Sequence, residues 1–161
     1  MSTLEKTLVL VKPDGVARGL VGEIIARIER KGYTISALRM LQADRALLEQ
    51  HYAEHQGKPF FEPLVEFMLS GPIVAMVAEG NRVIEGFRNI AGTTDPTVAD
   101  PGTIRGDFSH MSYGYADANK MPVKNLVHAS SSKQDSEAEV RLWFSPKEIH
   151  SYKAVHDIHI L

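Results

Sequence analysis

Three groups of residues have types and surroundings suited to chemistry on phosphate, and the first is a set of cations. Lys12 ends a short apolar run and leads into the turn signal Pro13-Asp14-Gly15; Arg88 falls at the margin of a helical apolar stripe; Arg105 stands between Thr103 and Gly106. A phosphate needs cations together with hydroxyl and backbone donors, and Thr94 offers a hydroxyl in the turn Gly92-Thr93-Thr94-Asp95-Pro96. Read alone, the same three residues are more readily taken as solvated surface cations. The chain has no Gly-x-x-x-x-Gly-Lys-Ser/Thr run, so it is not a P-loop protein.

The second group is Asn125-Leu126-Val127-His128-Ala129-Ser130-Ser131-Ser132, where a histidine follows a short apolar strand and precedes small residues. Of the seven histidines, His128 has the local sequence best suited to a nucleophile open to a ligand. A satisfied histidine at a strand end is the plainer reading, and nothing in the spacing of the serines supports a triad. Third is Glu139. Ser136-x-x-Glu139 matches a capping box, and a carboxylate there can also orient a histidine ring. His51 and His55 stand at helical spacing like half a metal site, but no third ligand follows them. Tyr52, Phe60 and Phe61 form an aromatic cluster that is core by default, with one ring able to stack on a base.

Elements able to position these residues follow from periodicity. Thr7 to Val11 is a buried strand; Leu20 to Ile28 carries helical spacing closed by Gly32; Tyr33 to Leu41 is a second strand. Ala46 to Tyr52 and Phe61 to Leu69 are short helices, and Ile73 to Ala78 is a third strand. Asn81 caps a helix running through Ile90, with Val83, Ile84, Phe87 and Ile90 turned inward. From Gly92 to Lys124 periodicity fails, as in functional or disordered segments. Leu126-Val127 is a fourth strand and Ser136 to Phe144 a last helix, stopped by Pro146. This order predicts an α+β, ferredoxin-like split β-α-β sandwich, with a four-stranded antiparallel sheet and its helices on one face.

At 161 residues the chain is expected to form one domain, 1–161. A net charge of −2 with scattered cations argues against a dedicated nucleic-acid surface and for a small ligand. There are no cysteines and no apolar stretch near the roughly 18 residues of a membrane span, and the N-terminal apolar run reads as a first strand, not a signal peptide. A cytoplasmic location fits.

These signals join into one pattern. Val11 to Val16 with Arg18 to Gly22, His51-Tyr52, Lys58 to Phe61, Ser70-Gly71-Pro72, Arg88, Gly92 to Pro96 and Thr103 to Phe108 resemble, in order and over nearly the whole chain, the blocks of nucleoside diphosphate kinases. The resemblance implies transfer of a γ-phosphate from a nucleoside triphosphate, with ATP as donor, to a nucleoside diphosphate, by a ping-pong route through phosphohistidine at His128. It further implies that Lys12, Arg88, Thr94 and Arg105 hold phosphates, that Lys12 and Asn125 reach the sugar, and that Tyr52 supports the phosphate site. Phe60 is expected to stack on the base, Leu64 to line its cleft, and Ser130 and Glu139 to support the histidine. Magnesium is expected to ride in on the phosphates. A homo-oligomer is implied as well, a tetramer or hexamer built from dimers. The alternative is a non-catalytic ferredoxin-like nucleotide-binding or sensing module, which would lack the nucleophile.

Two departures stand out. Where the family has His-Gly-Ser-Asp-Ser, this chain has His128-Ala129-Ser130-Ser131-Ser132. If the usual glycine needs positive φ, Ala129 carries strain. Between Phe108 and Asn125 the chain is also longer than the common form; the extra piece, around Ser109 to Met121, leaves Val123 as the nearest apolar base contact. Part of this segment, with its Met111, Tyr113, Tyr115 and Met121, is expected to pack against a neighbouring domain surface or subunit, folding back on its own domain being the alternative. The chemistry itself favours histidine: phosphoryl exchange between nucleotides is nearly thermoneutral, so a phosphoserine would be a sink where a phosphorus–nitrogen bond is not.

Overall fold

The computed structural model describes residues 4–161. Four strands, β1 (Leu4–Val11), β2 (Thr34–Leu41), β3 (Ile73–Asn81) and β4 (Val127–Ala129), form an antiparallel sheet in the order β2-β3-β1-β4. The helices are α1 (Pro13–Ala17), α2 (Val21–Arg30), α3 (Arg45–His51), α4 (Phe61–Leu69), α5 (Val83–Ala91), α6 (Ile104–Phe108), α7 (Tyr113–Ala118), α8 (Lys133–Trp143) and α9 (Asp157–Ile160).

Helices cover both faces of the sheet, not the one face expected from sequence. In β1, Leu8 and Leu10 pack with Leu48 of α3, Val65 of α4 and Trp143 of α8, while Val9 and Val11 pack with Ile24 of α2 and Phe87 of α5. β3 divides the same way, Ala75 and Val77 to one side, Val74 and Met76 to the other. An unbroken apolar run is the mark of a strand buried on both faces, and it places β1 in the middle of the molecule.

Local boundaries differ from expectation in instructive ways. Pro13-Asp14-Gly15 is the first turn of α1, with Pro13 where a missing N–H matters least. Asn81 ends β3 and does not cap α5; Arg82 holds that position at φ 49°, and the Glu5 carboxylate accepts from the Ile84 N–H at 3.3 Å. Ser136-x-x-Glu139 is not a capping box either. α8 begins a turn earlier, capped by Ser132, whose hydroxyl accepts from the Asp135 N–H. Ser136 is buried and donates to the Lys6 carbonyl. The segment 92–124 holds single-turn helices too short to show periodicity. Gly106 there is required sterically, since a Cβ would lie 2.0 Å from the Asp100 carbonyl oxygen.

The extra piece before β4 folds back on its own domain. Its neck is tied by Ser109 Oγ donating to the Lys124 carbonyl, and its body by the Tyr113 N–H reaching Asp95 Oδ2. Ala116 is buried and Met111 and Met121 partly so, while Tyr113 and Tyr115 stay exposed.

Candidate active site

The end of β1 delivers Lys12, and a short detour of the chain brings Asn125 to meet it. The Asn125 carbonyl accepts from the Val127 N–H across Leu126, which lies at φ 73°, a tight and strained γ-turn for a branched residue. Leu126 is held there from both sides: its N–H donates to Asp14 Oδ2 and its carbonyl accepts from the Lys12 N–H. Lys12 Nζ then donates to Asn125 Oδ1 at 2.8 Å, and Asn125 Nδ2 to the Thr94 carbonyl at 2.9 Å. Burial, with Arg105 nearby and against the pull of Asp14, lowers the Lys12 ammonium to about 8.

Arg105 is buried by its carbonyl partners. Nε, Nη1 and Nη2 donate to the carbonyls of Asn125, Gly92 and Val127. Burial lowers it to about 10, still a full cation at neutral pH. The fork has five N–H groups, so two remain after these bonds. Arg88 projects exposed from α5 into the same cleft, and Thr94 lines it.

His128 lies opposite Leu10 on β4, so its ring falls on the side of the sheet covered by α3 and α8. Its Nε2 meets Glu139 Oε2 at 2.8 Å. The same oxygen accepts from Ser130 Oγ at 2.6 Å, and Ser130 Oγ accepts in turn from the Leu8 N–H of β1. A carboxylate on Nε2 fixes the proton there, leaving the Nδ1 lone pair for the cleft. Ala129 has no positive φ, so the expected strain is absent. Ser131 now donates to Asp135, which puts an acid beside that position from the helix.

These side chains surround a cleft of about 850 Å³. Tyr52 is buried, its hydroxyl unpartnered and its pKa raised by burial and Glu139. Farther out, Phe60, about half exposed, and Leu64 form one wall; Tyr113, Ala116 and Asp117 of α7, with Val123, line the cleft too. Neither α7 at this rim nor Trp143 carries a signal in sequence; Trp143 donates from Nε1 to His51 Nδ1 at 3.1 Å. His51 and His55 do not converge as metal ligands. Among the described residues the grouping able to hold an ion is His51, His128 and Glu139, of which His51 Nδ1, His128 Nε2 and Glu139 Oε2 are engaged by hydrogen bonds within the protein.

A ring with one free lone pair, facing buried cations in a ligand-sized cleft on a ferredoxin-like sheet, defines a phosphoryl-handling enzyme. The family model for nucleoside diphosphate kinase matches residues 5–149. Nucleoside diphosphate kinases from Streptomyces griseus and Pyrococcus furiosus are 55% identical over 141 residues (87% of this chain, 96% of the relative) and 49% over 152 residues (94% and 90%). The structure of the Borrelia burgdorferi enzyme, a transition-state mimic with vanadate and ADP, superposes with a TM-score of 0.94 at 38% identity, covering 98% of this chain and 96% of that one. The Halobacterium salinarum enzyme in complex with CDP gives 0.87 at 39%, covering 98% of both. The chain belongs to the nucleoside diphosphate kinase family, and its activity is phosphotransfer between nucleoside tri- and diphosphates.

Proposed function

We propose that His128 is the covalent carrier of this exchange. Nδ1 attacks the γ-phosphorus of a nucleoside triphosphate, ATP being the donor; the bond to the bridging oxygen breaks and the diphosphate leaves with that electron pair. A second nucleoside diphosphate then attacks the phosphohistidine, and the ring regains its lone pair. The fixed His128 ring carries this reading, with Glu139 on Nε2 and Nδ1 left open to the cleft. Lys12, Arg88, Arg105 and Thr94 hold the phosphates in line, and Tyr52 offers its unpartnered hydroxyl. Lys12 and Asn125, already paired, reach the sugar hydroxyl. Phe60 stacks on the base and Leu64 lines its edge; a π-face is common to every base, so such a wall accepts them all.

The phosphate end of the cleft offers ammonium, guanidinium and amide groups, not a cage of free carboxylates. That donor set fits Mg²⁺ carried by the nucleotide's own oxygens. When bound, the ion would neutralise charge on the transferring group. One domain, residues 1–161, does this work. No helix among the described residues is long and apolar enough to cross a membrane, and we place the enzyme in the cytoplasm, where nucleotides are.

The test is a two-step label. Incubation with γ-labelled ATP alone should leave acid-labile, base-stable label on the protein, and a GDP chase should move it to GTP. His128→Ala should keep the fold and lose the label; a variant that still labels would end the proposal.

A further inference from the structure

Two imidazoles face each other in this site, and only one is free to react. Glu139 and Trp143 stand four apart on α8 and so share one face of it. Glu139 takes His128, and Trp143 takes His51. The His51 ring lies between them, edge-to-face with His128 at 4.5 Å and 77°, and with the indole at 5.5 Å and 89°. An indole N–H can only donate, so the His51 Nδ1 lone pair is spent on Trp143 and the neutral ring carries its proton on Nε2. His51 therefore has no basic lone pair to offer a phosphorus atom.

We propose that His51 and Trp143 are a positioning pair: Trp143 locks His51 in one neutral tautomer, and the locked ring braces the reactive face of His128. The inference rests on His128 being the carrier. Its physical point is charge. N-phosphorylation leaves the His128 ring holding its Nε2 proton and positive charge, and a cationic neighbour at 4.5 Å would oppose that state. Protonating His51 would put a hydrogen on Nδ1, directly against the indole N–H. The surroundings press the same way: burial first, then His128 from β4, Lys12 from β1 and His55 from beyond α3 hold His51 well below the usual imidazole range. Glu139 is the acid facing it, and Oε2 is taken by His128 and Ser130.

The experiment follows single-turnover phosphorylation by ATP across about pH 5.5 to 9. Trp143→Phe keeps a ring and removes the lock, so His51 becomes able to charge; the acid limb should move up by about one pH unit with the KM for ATP unchanged. In the double variant Trp143→Phe with His51→Phe nothing remains to titrate there, and the limb should return to the parent position. An unmoved limb in the first, or a shift that survives in the second, overturns the proposal. Should Trp143→Phe fail to fold, ¹⁵N spectra of the parent decide: the His51 Nδ1 should stay unprotonated throughout, and a protonated Nδ1 refutes the lock. Label surviving in His128→Ala would instead count against the carrier itself.

Discussion

Arg88 and Arg105 bring the same charge into the cleft by opposite means. Arg88 stands exposed at the cleft wall, whereas Arg105 is buried and donates to three carbonyls. Arg88→Ala should weaken nucleoside triphosphates by about 1.5–3 kcal/mol, leave nucleosides nearly unaffected and spare stability. Arg105→Ala strips the partner from those carbonyls and should also lower unfolding free energy by about 2–5 kcal/mol. Equilibrium binding and urea titration separate the two, and equal stability losses would contradict the contrast. Lys12 adds a pH signature. Its folded pKa, about 8, lies below the ordinary lysine value of 10.5. Between these values the unfolded chain holds more of the proton, so folding gains stability as pH rises through that window. Lys12→Met removes this titration. The stability of Lys12→Met relative to the parent should therefore fall from pH 8 to 10.5, and a flat difference in urea midpoints would refute the buried ammonium.

Among elements, α8 supplies the carboxylate and indole that orient the site, so its start matters. Ser132→Ala should remove about 1 kcal/mol by opening the N-cap, and thermal unfolding would read it. Much of this layer was legible in sequence. The runs of β1 and β3 and the spacing of α2, closed by Gly32 at φ 91°, announce themselves because burial and helix ending leave residue-type signatures. The motif residues were legible too, through blocks whose order could be matched. What escaped was whatever depends on contact across the chain. Glu5 capping α5 and Trp143 holding His51 are pairings 79 and 92 residues apart, which no window along the sequence contains. α6 and α7 span 5 and 6 residues, below the length at which a helical period can be seen. That helices cover both faces is signalled by the unbroken apolar strands, whereas element order alone does not distinguish one covered face from two.

At the scale of the molecule, β2 is a sheet edge with Leu38 and Met40 more than half exposed. The chain after α8 covers only part of that edge, through the His150 N–H to Ser36 and the Tyr152 hydroxyl to Ile35. An open, apolar edge is a template for pairing, and we propose assembly into dimers that build tetramers or hexamers. Sedimentation at micromolar concentration should show no monomer. Replacing residues 110–120 by a short Gly-Ser link should leave the oligomer in place, because Ala116 is buried on its own domain. It should raise the KM for nucleotides, since Tyr113, Ala116 and Asp117 line the cleft. Dissociation on that replacement would reassign the segment to the interface.

The seam between β1 and β4 has a consequence in time. Leu8 with Ser130, Lys12 with Asn125 and Asp14 with Leu126 join residues 122, 113 and 112 positions apart. Closing loops of that span comes at a large entropic loss, repaid only when the pairing is complete. A refolding chain can therefore own most of its helices and its β1–β3 ladder while its nucleophile is still unaimed. Phosphotransfer should return with the slowest phase of refolding and never ahead of it, which makes regained activity a clock for the last strand to dock.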